Sequence, residues 1–292
     1  MKAIFRLTPF CAACILFLLV QMFATALPES RAQRREKLVS YSPSSASFSV
    51  HEPIVIDFSI TNHLGEIVKF DLGPNSTGAF KFKVTQPDGA VLTKMPRMVV
   101  EGLSLSGKHS LAPQQTYAQR LILNSWFEIS TPGTYQVAVQ LESPIKTKGD
   151  QLVSYGESQF TLELRPRDVP RLEQVCSHLL AEIEDNKNNY EAAAEAAVAL
   201  SHATDPVAVP YLARAITANP MIYTVALQGL GRIRNEEAIS TLIAYLKSED
   251  NGPDWPIQSR IVLQAVEGQV SDPSLRSKIR DALQEYFLSH SQ

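Results

Sequence analysis

The sequence predicts a multidomain β + α chain: an N-terminal antiparallel β-sandwich followed by a short α-helical array. Three observations predict it. Apolar residues alternate with a period of two from Val50 to Leu164. Beyond Arg165 the period becomes 3.6, and alanine and leucine replace valine and phenylalanine. The helical part then repeats itself at an offset of 30 residues. At 292 residues and 45% hydrophobic content the chain has room for two ordinary domains. The boundaries expected are residues 1–26 for a signal peptide, 27–45 for a linker, 46–165 for the sandwich and 166–289 for the helices.

The first residues read as an address. Lys2 and Arg6 precede the apolar run CAACILFLLV (Cys11 to Val20), and Ala24-Thr25-Ala26 supplies the small-x-small pattern of a signal-peptidase site. This predicts an exported protein, periplasmic or secreted. The alternative is a membrane anchor through residues 10–27, a stretch of nearly spanning length followed by the basic cluster Arg31, Arg34, Arg35 and Lys37. Cys11 and Cys14 belong to this segment, so a cleaved chain keeps Cys176 alone and forms no internal disulfide. Cys176 occupies an apolar position of a predicted helix, which makes it a core residue.

In PIVIDFSIT the residues Ile54, Ile56, Phe58 and Ile60 alternate with Val55, Asp57 and Ser59, the pattern of a half-buried strand. Val68/Phe70/Leu72, Phe80/Phe82/Val84, Tyr135/Val137/Val139/Leu141 and Phe160/Leu162/Leu164 repeat it. Turn residues stand between them at Asn62 to Gly65, Pro87-Asp88-Gly89 and Pro132-Gly133. Strands with no helices between them favour an antiparallel sandwich. PGTYQVAV resembles the late strand of immunoglobulin-like domains, with Tyr135 two residues before the inward-facing Val137. The disulfide of antibody domains is missing, so the resemblance is architectural and implies no ligand. Asn75-Ser76-Thr77 is a glycosylation sequon.

Laying ALSHATDPVAVPYLARAI (Ala199 to Ile216) over GLGRIRNEEAISTLIAYL (Gly229 to Leu246) keeps the main apolar positions: Leu200 meets Leu230, Val209 meets Ile239, Leu212 meets Leu242 and Ile216 meets Leu246. Asp205 and Asn235 align as N-caps. Ser271-Asp272-Pro273 starts a looser third copy, after the insertion SEDNGPDWP and a helix from about Trp255 to Glu267. Upstream, VPRLEQVCSHLLAEI (Val169 to Ile183) and the alanine-rich Tyr190 to Ala203 complete the first pair. These segments resemble HEAT-like repeats of the short bacterial type, over about residues 186 to 289. The resemblance implies a solenoid in which stacked helix pairs bury one continuous core. The lyase activity of some members is not implied, because no pigment-handling residue has a match here.

Motifs that would carry chemistry each fail. GLSLSGKHS (Gly102 to Ser110) has His109 where a P-loop needs Ser or Thr, and Ser106 where a nucleophile elbow needs its last glycine. The histidines at 51, 63, 109, 178, 202 and 290 show no metal-ligand spacing. DNKNNYEAAAE (Asp185 to Glu195) has Lys187 at the third ligand position of a calcium loop and no glycine at the sixth, so it reads as a turn opening a helix. GLGRIR (Gly229 to Arg234) has Arg234 where a dinucleotide fingerprint needs glycine, and it reads as the joint between helices. No catalytic, cofactor or metal residue is assigned.

Residues 166–292 hold 17 acidic against 11 basic residues, which argues against nucleic acid as a partner. The function expected is a non-enzymatic scaffold for a protein or peptide partner. If the second helix of each pair lines the binding side, Tyr211, Arg214, Glu237, Thr241 and Asp281 lie opposite its core stripe. A carbohydrate- or surface-binding sandwich, suggested by Trp126 with Phe127, is the alternative. A serine hydrolase using Ser104 or Ser106 with His109 is a remote third.

Overall fold

The structure, a computed structural model, describes residues 37–73, 78–95, 107–248 and 254–290. The signal segment, the sequon and the stretch Gly102 to Ser106 lie outside the described residues. Eleven strands come first among the described elements: β1 (Val39–Pro43), β2 (Ser47–Ser49), β3 (Val55–Thr61), β4 (Val68–Asp71), β5 (Phe80–Thr85), β6 (Lys108–Leu111), β7 (Thr116–Ile122), β8 (Gly133–Leu141), β9 (Ile145–Thr147), β10 (Leu152–Ser154) and β11 (Ser158–Arg165). Helices follow: α1 (Val169–Asp185), α2 (Tyr190–Ser201), α3 (Val209–Ala218), α4 (Tyr223–Ile233), α5 (Glu236–Leu246), α6 (Trp255–Glu267) and α7 (Pro273–Ser289). The chain is therefore mixed β and α, with Leu38–Gln292 forming one compact unit.

The strands form three sheets, in the orders β1-β3-β7, β2-β11-β8-β5 and β10-β9-β4-β6. The period-two pattern explains which faces are buried: Ile56, Phe58 and Ile60 of β3 are buried while Asp57 points out. Aromatic rings tie the sheets together. Phe58 of the first sheet meets Phe80 of the second edge-on at 5.0 Å, and Phe70 of the third meets Tyr117 of the first at 5.3 Å.

One pairing departs from the antiparallel expectation. β2 lies parallel to β11, with Phe48 opposite Leu164. The cause is a change of sheet: β1 pairs antiparallel with β3, and after Ser44 to Ala46 the chain continues onward as β2 in the second sheet.

Helix starts follow their caps. Asp168, Asn189, Asn235 and Asp272 each accept a backbone N–H of the helix they precede. Asp205 caps as expected, accepting from Val207 N, but it opens a 3-10 turn over Pro206–Ala208, and α3 begins only at Val209. Pro210 has no N–H to return to the Pro206 carbonyl, which instead accepts from Val209, so the first turn tightens.

The helices lie in two rows. α1, α3, α5 and α7 are successive neighbours in one, and α2, α4 and α6 in the other. Between them runs a core of Leu172, Cys176, Leu200, Leu212, Leu230, Leu242, Leu263 and Ile279 with the alanines of α2. Ile122 of β7 belongs to this same core and Val55 of β3 packs against it, so the outer face of the first sheet rests on the helices.

Candidate interaction surface and the joint behind it

The segment Arg165 to Asp168 passes from β11 into α1, and charged side chains fix what lies on either side. Glu52, only 4% exposed, receives both Nε (2.6 Å) and Nη2 (3.0 Å) of Arg171 on α1. Arg171 also donates to the Ser47 carbonyl at 2.6 Å, and Glu52 accepts the Ser49 N–H at 2.7 Å. Both carboxylate oxygens of Glu52 and the Nε and Nη2 of Arg171 thus have partners, as a stable buried ion pair requires. Ser49 Oγ accepts from Asp168 N at 2.9 Å and anchors the start of α1.

Two more pairs flank it. Arg167 grips Asp205 with Nε (2.5 Å) and Nη2 (3.0 Å), and these bonds hold the fully buried Asp205 carboxyl below its ordinary pKa. Arg120 of β7 donates to Glu182 of α1 at 2.5 Å, and its N–H meets Glu195 of α2 at 3.4 Å. Burial pushes the Glu195 carboxyl up despite that contact. His51 closes the joint from the β side: its carbonyl accepts from Thr204 N at 3.1 Å, and its Nδ1 lies 2.9 Å from Thr204 Oγ1. A φ of 73° at His51, rare for a residue with a Cβ, turns the chain into that position.

Inside the helical part the contacts are of another kind. Gly229 and Gly231 stand in α4 where its neighbours pass closest. A Cβ on Gly229 would lie 2.7 Å from Leu212 Cδ2 and 2.9 Å from Ser201 Cα; on Gly231 it would lie 2.5 Å from Val262 Cγ1. Arg232 does not serve its own helix end. It reaches the last turn of α2, donating to the Ser201 carbonyl at 3.2 Å, where positive charge meets free carbonyls. Burial pushes its pKa down to about 10. Burial, with Arg232 nearby, also pushes the adjacent His202 down to about 3. Arg234 ends α4 with φ 57°, a left-handed position that usually takes glycine.

Of the five residues expected to line a binding side, the structure places Tyr211 half-buried against the helical core. Arg214 is exposed and bound to Glu184 of α1 at 2.8 Å. Thr241 turns its hydroxyl onto the Glu237 carbonyl at 2.8 Å. Glu237 and Asp281 stand exposed. Between α5 and α7, Lys247 meets Glu285 at 2.6 Å and Lys278 meets Glu236 at 3.6 Å. The row α1, α3, α5, α7 thus presents a polar surface on which ion pairs join α1 to α3 and α5 to α7, and the Tyr245 hydroxyl donates to the Ala213 carbonyl of α3.

The other candidates change character. Trp126 and Phe127 are both buried, Trp126 packing on Phe82 at 4.9 Å, so they form no exposed aromatic platform. His109 lies on β6 between the rings of Phe70 and Tyr117, and burial lowers its pKa. Ser104 and Ser106 lie outside the described residues. Cys176 is fully buried, its pKa pushed up to about 12. Among the described residues no group of His, Cys, Asp and Glu is placed to hold a metal ion, and no helix is long and apolar enough to cross a membrane.

The joint escaped the sequence reading because its partners are far apart along the chain: Glu52 and Arg171 are separated by 119 residues. Nothing local to the His51-Glu52 turn announces them.

No family model matches the chain, and no curated protein does. Among solved structures, a β-glucosidase from Listeria innocua in complex with glucose is similar at 13% identity and TM-score 0.19, over 44% of this chain and 16% of that one. Astrotactin-2, a vertebrate-specific, perforin-like membrane protein, is similar at 11% identity and TM-score 0.18, over 83% of this chain and 38% of that one. The chain spans well under half the length of either, and likenesses this slight carry no argument about function.

Proposed function

We propose that the chain is an exported, non-enzymatic scaffold in which an immunoglobulin-like sandwich and a short HEAT-like array present one surface to a protein or peptide partner. The observation that carries the reading is the two-row stacking of the helices behind an ion-paired face. Repeats stacked in this way offer many weak contacts over a long surface. The partner face runs along α3, α5 and α7 and includes Tyr211, Arg214, Glu237, Thr241 and Asp281.

The immunoglobulin-like part of the reading rests on strand order. If β1, β3 and β7 are strands A, B and E, and β5, β8 and β11 are C, F and G, the first two sheets follow the orders of that fold. Tyr135 near the start of β8 donates its hydroxyl to the Thr131 carbonyl at 2.7 Å, the bond of a tyrosine corner. Export rests on Lys2, Arg6, the run Cys11 to Val20 and Ala24-Thr25-Ala26.

The test is crosslinking in the native envelope fraction with a photoreactive residue at Glu237 or Asp281. One defined partner should be captured from both positions, and Arg214→Glu combined with Glu237→Arg should abolish its capture while the melting temperature holds. Capture that survives the double substitution contradicts the proposed face. N-terminal sequencing of the purified protein should begin at Leu27.

A further inference from the structure

We propose that the contact between the first sheet and the helices is a proton-operated latch, tightest when Glu195 of α2 carries a proton and loosened when Glu195 is ionised. Among the described strands β7 is an edge strand, and α2 packs against it. The Arg120 N–H leaves β7 and meets Glu195 Oε1 at 3.4 Å. A carboxyl group from the helices thus covers part of a strand edge whose backbone would otherwise face water.

The surroundings of Glu195 carry more negative than positive charge. Asp57 of β3 stands opposite Arg120 in the register, so both side chains belong to the face that rests on the helices. The Arg120 guanidinium serves Glu182 of α1, with Nη1 at 2.5 Å and Nη2 at 3.3 Å from its two oxygens. Asp57, Glu182 and Glu195 therefore meet around one cation, while Glu195 itself bonds the backbone of Arg120. Glu191, exposed one turn earlier on α2, adds a further negative charge. Tyr117 of β7 donates its hydroxyl to Gln119 at 3.1 Å, and burial with the nearby Glu195 and Glu191 keeps it neutral. His178 of α1 lies 3.1 Å from Glu182. The cations of the other packed helices are turned elsewhere: Arg214 of α3 binds Glu184, and Arg232 of α4 donates to Ser201.

A proton on Glu195 removes the excess charge and keeps the bond, because a neutral carboxyl still accepts through its carbonyl oxygen. Burial, with Asp57 and Glu182 nearby, raises the Glu195 pKa above that of an ordinary glutamate. As pH falls, the folded state therefore takes the proton before the unfolded state does. Stability from this group is fully present below the ordinary glutamate value and is lost as pH rises through the raised one.

This inference rests on the sheet–helix contact and does not need the partner face along α3, α5 and α7. Melts of the full chain and of Glu195→Gln, paired at each pH, test it. Pairing cancels groups common to both chains, His202 among them, and glutamine keeps the acceptor without the charge. Glu195→Gln should melt about 2–4 °C above the wild type at about pH 8, and the gap should close by about pH 4. Asp57→Asn, an exposed change that leaves Glu195 in place, should give a smaller rise of the same sign at the higher pH. Amide exchange at that pH should slow in Glu195→Gln by a larger factor in β7 and α2 than in β8. A variant no more stable than the wild type at the higher pH overturns the proposal, as does a gap that stays constant with pH or exchange that slows equally everywhere.

Discussion

The two internal interfaces of this molecule are built from opposite materials. Helix stacks on helix through alanines, leucines and bare glycine backbone, and the close approaches at Gly229 and Gly231 set the spacing. The β part meets the helices through Ile122 and Val55, but Glu52–Arg171, Arg120–Glu182 and Arg167–Asp205 fix how it sits. Apolar packing is not directional and tolerates sliding, whereas a two-pronged guanidinium bond admits one geometry. Shape therefore sets the register of the array, and directional bonds set the orientation of the joint.

The largest effect is expected where that directional contact is buried. Arg171→Ala leaves Glu52 at 4% exposure without its cation, and removing one partner of a buried pair costs about 3–5 kcal/mol. Chemical denaturation of the variant reads it. A cost within about 0.5 kcal/mol, the range of an ordinary surface change, would mean that the joint is apolar after all.

The stacked interface should answer to volume. Gly231→Ala places a methyl 2.5 Å from Val262 Cγ1, and overpacking of this kind costs about 1–3 kcal/mol. Val262→Ala should recover part of the loss in the double variant, despite the cavity it makes elsewhere. If the two costs simply add, Gly231 is not held by that contact.

Acid should strike the same region through His202. Folded, it stays neutral down to about pH 3; unfolded, it takes up its proton near the ordinary histidine value of 6.5. The unfolded state binds the proton first, so stability is complete above about 6.5, falls as pH drops, and levels off below about 3. The steepest contribution is about 1.4 kcal/mol per pH unit. Replacing His202 by Asn should flatten this slope in a pH series of melts.

The smallest effect has the opposite sign. Arg234→Gly relieves a left-handed residue at the end of α4 and should stabilise the fold by up to about 1 kcal/mol in the same melts.

How much of this was legible depends on the range of the interaction. Strand faces, caps and the repeat are local, so the alternation of Ile54 to Ile60 and the cap at Asn235 could be read directly. GLGRIR was legible as the joint between helices, but its two glycines lie inside α4 at the close crossings and only Arg234 ends the helix. The left-handed turn at Arg234 was not, because the residue that prefers it is absent. Nor was the parallel pairing of β2, which depends on a change of sheet at Ser44 to Ala46. The joint was the least legible part. Its ion pairs link residues that only the folded chain brings together, and singly they look like solvated charges. The five residues chosen from the helical wheel were placed by period alone, which could not foresee that Arg214 would be bound to Glu184 or that Tyr211 would be half-buried against the core.

Calorimetry on the purified chain tests most directly whether the charged joint makes one body of the two parts. The account predicts a single transition with equal calorimetric and van't Hoff enthalpies, splitting into two in Arg171→Ala. Two independent transitions in the unaltered protein would contradict it.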